Sequence, residues 1–392
     1  SQEKPINIAV ATDLHYLSSS LTDGGSFFTD LVNNADGKNM FYIEEITESF
    51  VATIIREKPE ILILSGDLTF NGEKQSHLDL EKKLSRIRKN GTQILVIPGN
   101  HDIDRSSAAG FYGDGYELVD SISKEEFAKI YQDYGLQERI EKDDTSLSYL
   151  YRARKDFWIL MLDSNSHGTN EISDQTFSWV EEILKDAKEQ DIQVLAVSHQ
   201  NLLAHNPYFT EGFLIHQVQE LEALYEKYAV MANLSGHIHI QHIEDRGLPE
   251  ILTSALPVSP HHYGILEFDG KTLDYQAKIL DVASWAREQG LTDQNLLDFS
   301  QSSRSFMEQV AARKLESELL DSQLTDLERE ILLQTFAQIN ADYFAGRQID
   351  PANHQQGLSL MQETGLSFYL TYIDSILKSA EKGHESFQLE LE

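Results

Sequence analysis

Short apolar runs at residues 6–11, 60–64 and 93–97 alternate with two helical stripes, and each run stops at a polar turn carrying Asp or Asn. Apolar runs of this length read as strands buried on both faces, as in the sheet of an α/β protein. Between them, residues 44–56 carry Ile46, Phe50, Ile54 and Ile55 on one side of a helix, which Pro59 ends. Residues 78–88 repeat the pattern with Leu80, Leu84 and Ile87, and Asn90-Gly91 supplies a left-handed cap. A chain that opens this way is constrained to a layered α/β core.

Further strands are expected at 157–162, 192–197, 230–234, 251–253, 264–268 and 272–278, with Asp269-Gly270 as a hairpin turn between the last two. Ser123-Lys124-Glu125-Glu126 is a capping box that opens a helix, and residues 176–188 are amphipathic. Residues 18–38, rich in Ser, Gly, Asn and Asp, read as a long loop. Beyond Val282 the strand signal fades. A second capping box, Thr325-Asp326-Leu327-Glu328, and an amphipathic run at 366–377 indicate a helical C-terminal domain. The boundary is placed between domains of residues 1–283 and 284–392.

Composition narrows the chemistry. Sixty-four acidic residues against 32 basic ones leave a net charge of −32, which disfavours a long nucleic acid as partner. A small anion remains compatible, because bound cations make a site locally positive. The chain has no cysteine, so disulfides, thiolate ligands and a Cys nucleophile are excluded. A metal site must then be built from His, Asp, Glu and Asn, which suits Mn or Fe and is compatible with Zn. No apolar stretch approaches the ~18 residues of a membrane span. The start at Ser1, with strand sequence by Ile6, and the lack of cysteine point to a trimmed, exported or cell-surface protein.

Five segments carry site chemistry: Asp13-Leu14-His15, Gly66-Asp67, Gly99-Asn100-His101-Asp102, Ser198-His199 and Gly236-His237-Ile238-His239. Four of them follow an apolar strand directly, where side chains line the crevice of an α/β sheet. Asp13 and His15, one residue apart, share a side of an extended segment and can reach one cation, as can His237 and His239. A carboxylate at Asp67 can bridge two cations, Asn100 offers a neutral oxygen, and His199 another imidazole. Each segment alone is a weak signal, since turn chemistry explains a lone D-x-H or G-D. Together they imply two adjacent cations with open positions.

The ordered set D-x-H, G-D, G-N-H-D, H and G-H-x-H resembles the calcineurin-like metallophosphoesterase superfamily. That resemblance implies two β-sheets flanked by helices and a dinuclear site. One metal would take Asp13, His15, Asp67 and His239. The other would take Asp67, Asn100, His199 and His237. His101 matches the catalytic histidine near the leaving oxygen, and Asp102 would orient it by accepting its other N–H. Water held between the metals would attack phosphorus, with no covalent protein intermediate. The segment Gly66-Asp67-Leu68-Thr69-Phe70-Asn71-Gly72, together with Gly99-Asn100-His101-Asp102, is similar to bacterial class III cyclic nucleotide phosphodiesterases. Asp13-Leu14-His15-Tyr16, Ser198-His199-Gln200-Asn201-Leu202-Leu203 and the helical tail resemble their larger Gram-positive members. Ser198 departs from the pattern, where many relatives carry a second His. The resemblance implies hydrolysis of small 3′,5′- or 2′,3′-cyclic nucleotides. A phosphomonoesterase or nucleotidase, and a non-catalytic metal-stabilised scaffold, are the competing readings. His205, His242, His261 and His262 lie near the motif loops and are candidates to line a pocket, whereas His77 reads as structural. Tyr16, Tyr112, Tyr208 and Tyr263 are candidates to stack on a base.

Overall fold

A computed structural model describes residues 4–391; Ser1, where the chain begins, lies outside them. In chain order the strands are β1 (Ile6–Ala11), β2 (Ile61–Leu64), β3 (Gln93–Val96), β4 (Ala109–Tyr112), β5 (Gly115–Leu118), β6 (Glu141–Lys142), β7 (Tyr149–Arg154), β8 (Phe157–Met161), β9 (Gln193–Val197), β10 (Asn233–Ser235), β11 (His242–Asp245), β12 (Pro249–Leu252), β13 (His262–Phe268), β14 (Thr272–Ile279) and β15 (Ser386–Glu390). One sheet runs β15-β14-β13-β1-β2-β3 and the other β11-β12-β10-β9-β8-β7-β6. In both, the central strands are parallel: β1 with β2 and β2 with β3, then β8 with β9 and β9 with β10.

Strand alternation builds the layers. Ile8, Val10, Ile61, Ile63 and Leu95 point into the core between the sheets, where they meet Ile159, Met161, Leu195 and Val197. The intervening Ala9, Ala11, Leu62, Leu64 and Ile94 face outward onto helices. Those helices are Ile43–Glu57 and Lys74–Lys89, which contribute Ile46, Phe50, Ile54, Leu80, Leu84 and Ile87. On the far side, Trp158, Leu160, Val194 and Ala196 pack under helix Asp174–Glu189 through Val180, Ile183 and Leu184. Burial of each such side chain is worth about 1.5–3 kcal/mol. Both faces of each central strand are therefore apolar, and only the strand ends are free to carry polar groups.

The first stripe ends at Lys58, which takes a left-handed φ of 47° before Pro59. Both capping boxes form, at Ser123 with Glu126 and at Thr325 with Glu328. Three expectations need correction. The loop at 18–38 contains the helix Ser26–Asn33, which buries Phe28 and Val32; its apolar spacing was masked by the turn residues around it. The strand expected at 230–234 pairs only from Asn233. The C-terminal region is helical through Phe299–Glu318, Asp326–Phe344, Gln355–Thr364 and Ser367–Ser379, but β15 then returns to pair antiparallel with β14. This helical segment also shares a core with the loop after β10 and with β12, where Ile339, Tyr343 and Ile376 pack on Ile238, Ile240 and Leu252. No described helix is long and apolar enough to cross a membrane.

Several histidines are structural. His77 sits between the Tyr131 hydroxyl (2.6 Å) and the Asp102 carbonyl (2.8 Å). His261 links the Leu256 carbonyl to Ser303, and His262 contacts Ser254. His205 bridges Glu250 and His242, and His242 reaches Ser379. Burial depresses His77 and His261 to about 4, His262 to about 3 and His242 to about 2. Their unfolded value is near 6.5, so the unfolded chain binds more protons as pH falls below that point. Stability should then be lost between about pH 6.5 and 4, by roughly 2 kcal/mol per residue at pH 5. Burial pushes Glu73 and Asp102 up to about 7, which acts in the opposite sense, but they are two groups against four. Melting curves from pH 7.5 to 5 should show a falling Tm, with a shallower slope in His261→Gln; a level profile would contradict this assignment.

Candidate metal centre

The loops after β1, β2, β3, β9 and β10 meet at one end of the two sheets. Asp13, His15 and His239 form one group of convergent ligand atoms, and Asp67, His199 and His237 a second. Within the first, His15 Nε2 lies 3.4 Å from Asp13 Oδ1 and 3.1 Å from His239 Nε2. His239 Nε2 is 3.2 Å from the same Asp13 oxygen. In the second, His199 Nε2 lies 3.1 Å from Asp67 Oδ2 and 3.2 Å from Asn100 Oδ1. Asp67 Oδ2 is also 3.8 Å from His15 Nε2, so this oxygen stands between the two groups.

The donor set fits cations. Asp13 Oδ1 and His15 Nδ1 are buried without a hydrogen-bond partner among the described residues. Imidazole nitrogens face one another at hydrogen-bond distance, which suits a shared positive ion. Burial would raise both carboxylates, yet His199 and the other imidazoles outweigh it and hold Asp13 and Asp67 well below the usual carboxylate range. His199 is pushed up to about 10: burial opposes its charge, but Asp67 and Asp13 prevail. Cation binding would release that proton. Burial also lowers His15 and His237 to about 4, leaving neutral imidazoles ready to ligate.

The backbone is wound to present these groups. Asp13, His15, Asp67, His237 and His239 all adopt positive φ, from 45° to 75°. Non-glycine residues there cost about 1–3 kcal/mol each. Asp13 is fixed further, since its Oδ2 accepts from Thr12 Oγ1 (2.7 Å) and His237 N (3.0 Å). His199 Nδ1 donates to the Ser65 carbonyl at 2.9 Å, which aims Nε2 into the site. Two motif glycines are set by close approach. A Cβ on Gly99 would fall on the Asp67 carboxylate, and one on Gly236 would lie 2.5 Å from Asp13 Oδ2.

His101 stands beside both groups, its backbone N–H donating to Asp67 Oδ1 at 2.9 Å. The role expected of Asp102 does not hold. Its carboxylate accepts from Leu68 N, Thr69 N, Gly99 N and Thr69 Oγ1, all at 2.8–3.0 Å. It therefore clamps the Asp67 loop to the Asn100 loop. Its oxygens are taken up by these four donors, and His101 Nδ1 is met by another residue. Asn71 takes that place. Its Oδ1 accepts from Arg105 Nε at 2.9 Å and lies 3.1 Å from His101 Nδ1. Because Arg105 can only donate, Oδ1 is an acceptor and His101 must carry its proton on Nδ1. Asn71 was visible in the G-D-L-T-F-N-G segment but carried no separate signal. Lys38 and Asp36 were hidden in the misread loop: Lys38 Nζ lies 3.0 Å from Asp36 Oδ2, itself 3.8 Å from His239 Nδ1. Asn71→Leu should lower turnover about 10- to 100-fold. It should also displace the pH–rate profile, which a purely structural defect would not do.

Of the histidines expected to line a pocket, His205 and His242 line a cavity that includes none of the ligand residues, and His261 and His262 are buried against Leu256, Ser303 and Ser254. Tyr16 and Tyr263 are buried too and donate to Glu44 and Glu57, while Tyr112 donates to the Ser20 carbonyl. Tyr208 lines a cavity bounded by the C-terminal helices.

This fold and ligand pattern define a class of metal-dependent phosphoester hydrolases. Residues 6–241 match the family model of calcineurin-like phosphoesterases, and the chain belongs to that family. Residues 281–383 match the C-terminal domain of cyclic nucleotide phosphodiesterase. A dimetal phosphatase from Danio rerio shares the fold at a TM-score of 0.55 and 12% identity, covering 71% of this chain and 97% of that one. GAP50, the anchor in the inner membrane complex of Plasmodium, aligns at 0.41 and 11% identity, with 71% and 85% covered. A protein named as a candidate 5′-nucleotidase from Staphylococcus aureus aligns at 0.36 and 14%, with 67% and 50% covered. No curated protein sequence matches the chain.

Proposed function

We propose that the protein hydrolyses small phosphodiesters, with 3′,5′- or 2′,3′-cyclic nucleotides as the substrate class. The observation that carries this reading is the occurrence, in one chain, of a two-metal ligand set and a C-terminal segment of the cyclic-nucleotide-phosphodiesterase type. Bound cations, Mn or Fe with Zn compatible, would supply Lewis acidity and positive charge at the phosphoryl group. Asp13, His15 and His239 would hold one, and His199, His237 and Asn100 the other, with Asp67 shared between them. His101, held by Asn71 through Nδ1–H, would protonate the leaving oxygen from Nε2–H in its imidazolium form, which burial disfavours and the Asp67 carboxylate favours. The strained, pre-wound ligand loops hold this arrangement without reorganisation during turnover.

A phosphomonoesterase is favoured by one specific observation. Lys38 places a cation near the centre, where it also helps lower His101, and a monoester dianion would use such a charge. Its pairing with Asp36 at 3.0 Å reduces that advantage. Bis-p-nitrophenyl phosphate and p-nitrophenyl phosphate, assayed with added Mn before and after chelation, separate the readings. Diester hydrolysis that chelation removes and Mn restores is expected. Monoester-only activity would sink the diester reading, and inactivity with every metal would leave a scaffold.

A further inference from the structure

A cavity of about 310 Å³ is roofed by the C-terminal helices. Its walls include Tyr208, Phe209, Phe336, Phe368 and Tyr372, with the amide of Asn340 among them. Two contacts tie it to the ligands. Asp36 lines it and lies 3.8 Å from His239. Phe209 lines it and packs on Phe213 at 5.2 Å, and Phe213 packs on the His237 ring at 5.5 Å. The cavity thus approaches His239 through one wall residue, Asp36, and is linked to His237 by the Phe209–Phe213 stack.

We propose that this cavity receives the base of the substrate, a purine, while the phosphodiester sits at the metal centre. The proposal rests on the phosphodiesterase reading and adds a specificity site built by the helical segment. The volume is at the lower end of the range of about 300–1,000 Å³ for small-molecule sites, enough for a base but not a large ligand. Aromatic walls stack on a planar base. Tyr208 and Phe368, in edge contact at 5.3 Å, are 39% and 55% exposed, an apolar mouth left open to water. The side chain of Asn340 makes no hydrogen bond among the described residues and is only partly exposed. A side-chain amide both donates and accepts, which matches the adjacent amino and ring-nitrogen groups of adenine, and a purine's two rings cover more of the aromatic wall than a pyrimidine's one. Binding energy collected here, away from the reacting phosphorus, can be used to position the diester.

Phe368→Ala and Asn340→Ala test the proposal with the whole chain and added Mn. Phe368 is exposed enough that its removal should spare the fold. The comparison is 2′,3′- and 3′,5′-cyclic AMP against the same sugar cyclic phosphates bearing a methyl group in place of the base. The ratio of kcat/KM, base-bearing over base-free, should fall about 5- to 100-fold in Phe368→Ala, mostly through KM. It should fall in the same direction in Asn340→Ala. An unchanged ratio in both variants would overturn the proposal. So would a wild type that cleaves bis-p-nitrophenyl phosphate but prefers the base-free compounds. A wild type inactive on every diester would instead overturn the reading beneath it.

Discussion

Asp67→Asn should abolish turnover, by a factor on the order of 10³ or more, and should take Mn binding down with it. Asp67 Oδ2 reaches both histidine groups, at 3.1 Å from His199 and 3.8 Å from His15, whereas Asp13 Oδ1 sits within the first group and approaches His199 only to 3.9 Å. Asparagine keeps the acceptor that holds His101 N, so the local backbone is preserved while the negative charge is lost. The same change also removes the principal partner that keeps His199 protonated. The measurement is metal content after dialysis alongside kcat for bis-p-nitrophenyl phosphate. A variant that retained two metals and wild-type turnover would remove Asp67 from the centre.

His101→Ala should cost about 10²- to 10⁴-fold in kcat, but only for substrates that leave as alkoxides. A p-nitrophenolate departs without a proton, so bis-p-nitrophenyl phosphate should suffer far less than a cyclic nucleotide. The contrast isolates proton donation from any loss of fold or metal, both of which would affect the two substrates alike. Equal losses on both would argue that His101 acts by positioning.

Most of the centre was legible because physics concentrates it. Central strands of a double-sided sheet must be apolar throughout, so Asp13, Asp67 and Asn100, each just past such a run, stand out as the positions free to be polar. The spacing of His237 and His239 marked both as ligands but misled on how they are used: the backbone there is left-handed rather than extended, and the two imidazoles go to different groups. What could not be read depended on three-dimensional return of the chain. Asp102 follows His101 in sequence, yet its carboxylate turns inward to four donors on two loops. Asn71 takes its meaning only from Arg105, which the fold brings to it from a later loop. The helix Ser26–Asn33 was obscured by glycine and asparagine, and Lys38 was missed with it. Strand β15 follows a long helical stretch and pairs with a strand far earlier in the chain, a non-local pairing that no local pattern announces.

That strand changes what kind of object the C-terminal segment is. It leaves the core just after β14 and comes back to hydrogen-bond with β14 itself, from Thr272 opposite Glu390 to Gln276 opposite Ser386. Topologically it is an excursion anchored at both ends to one strand, rather than a cap on a single tether. It cannot swing away as a lid hinged at one point would. Admission of a ligand beneath it is then through the open mouth at Tyr208 and Phe368, with both anchors held. Losing β15 would free one anchor and also bare the flank of β14, turning a covered strand into a template for intermolecular pairing.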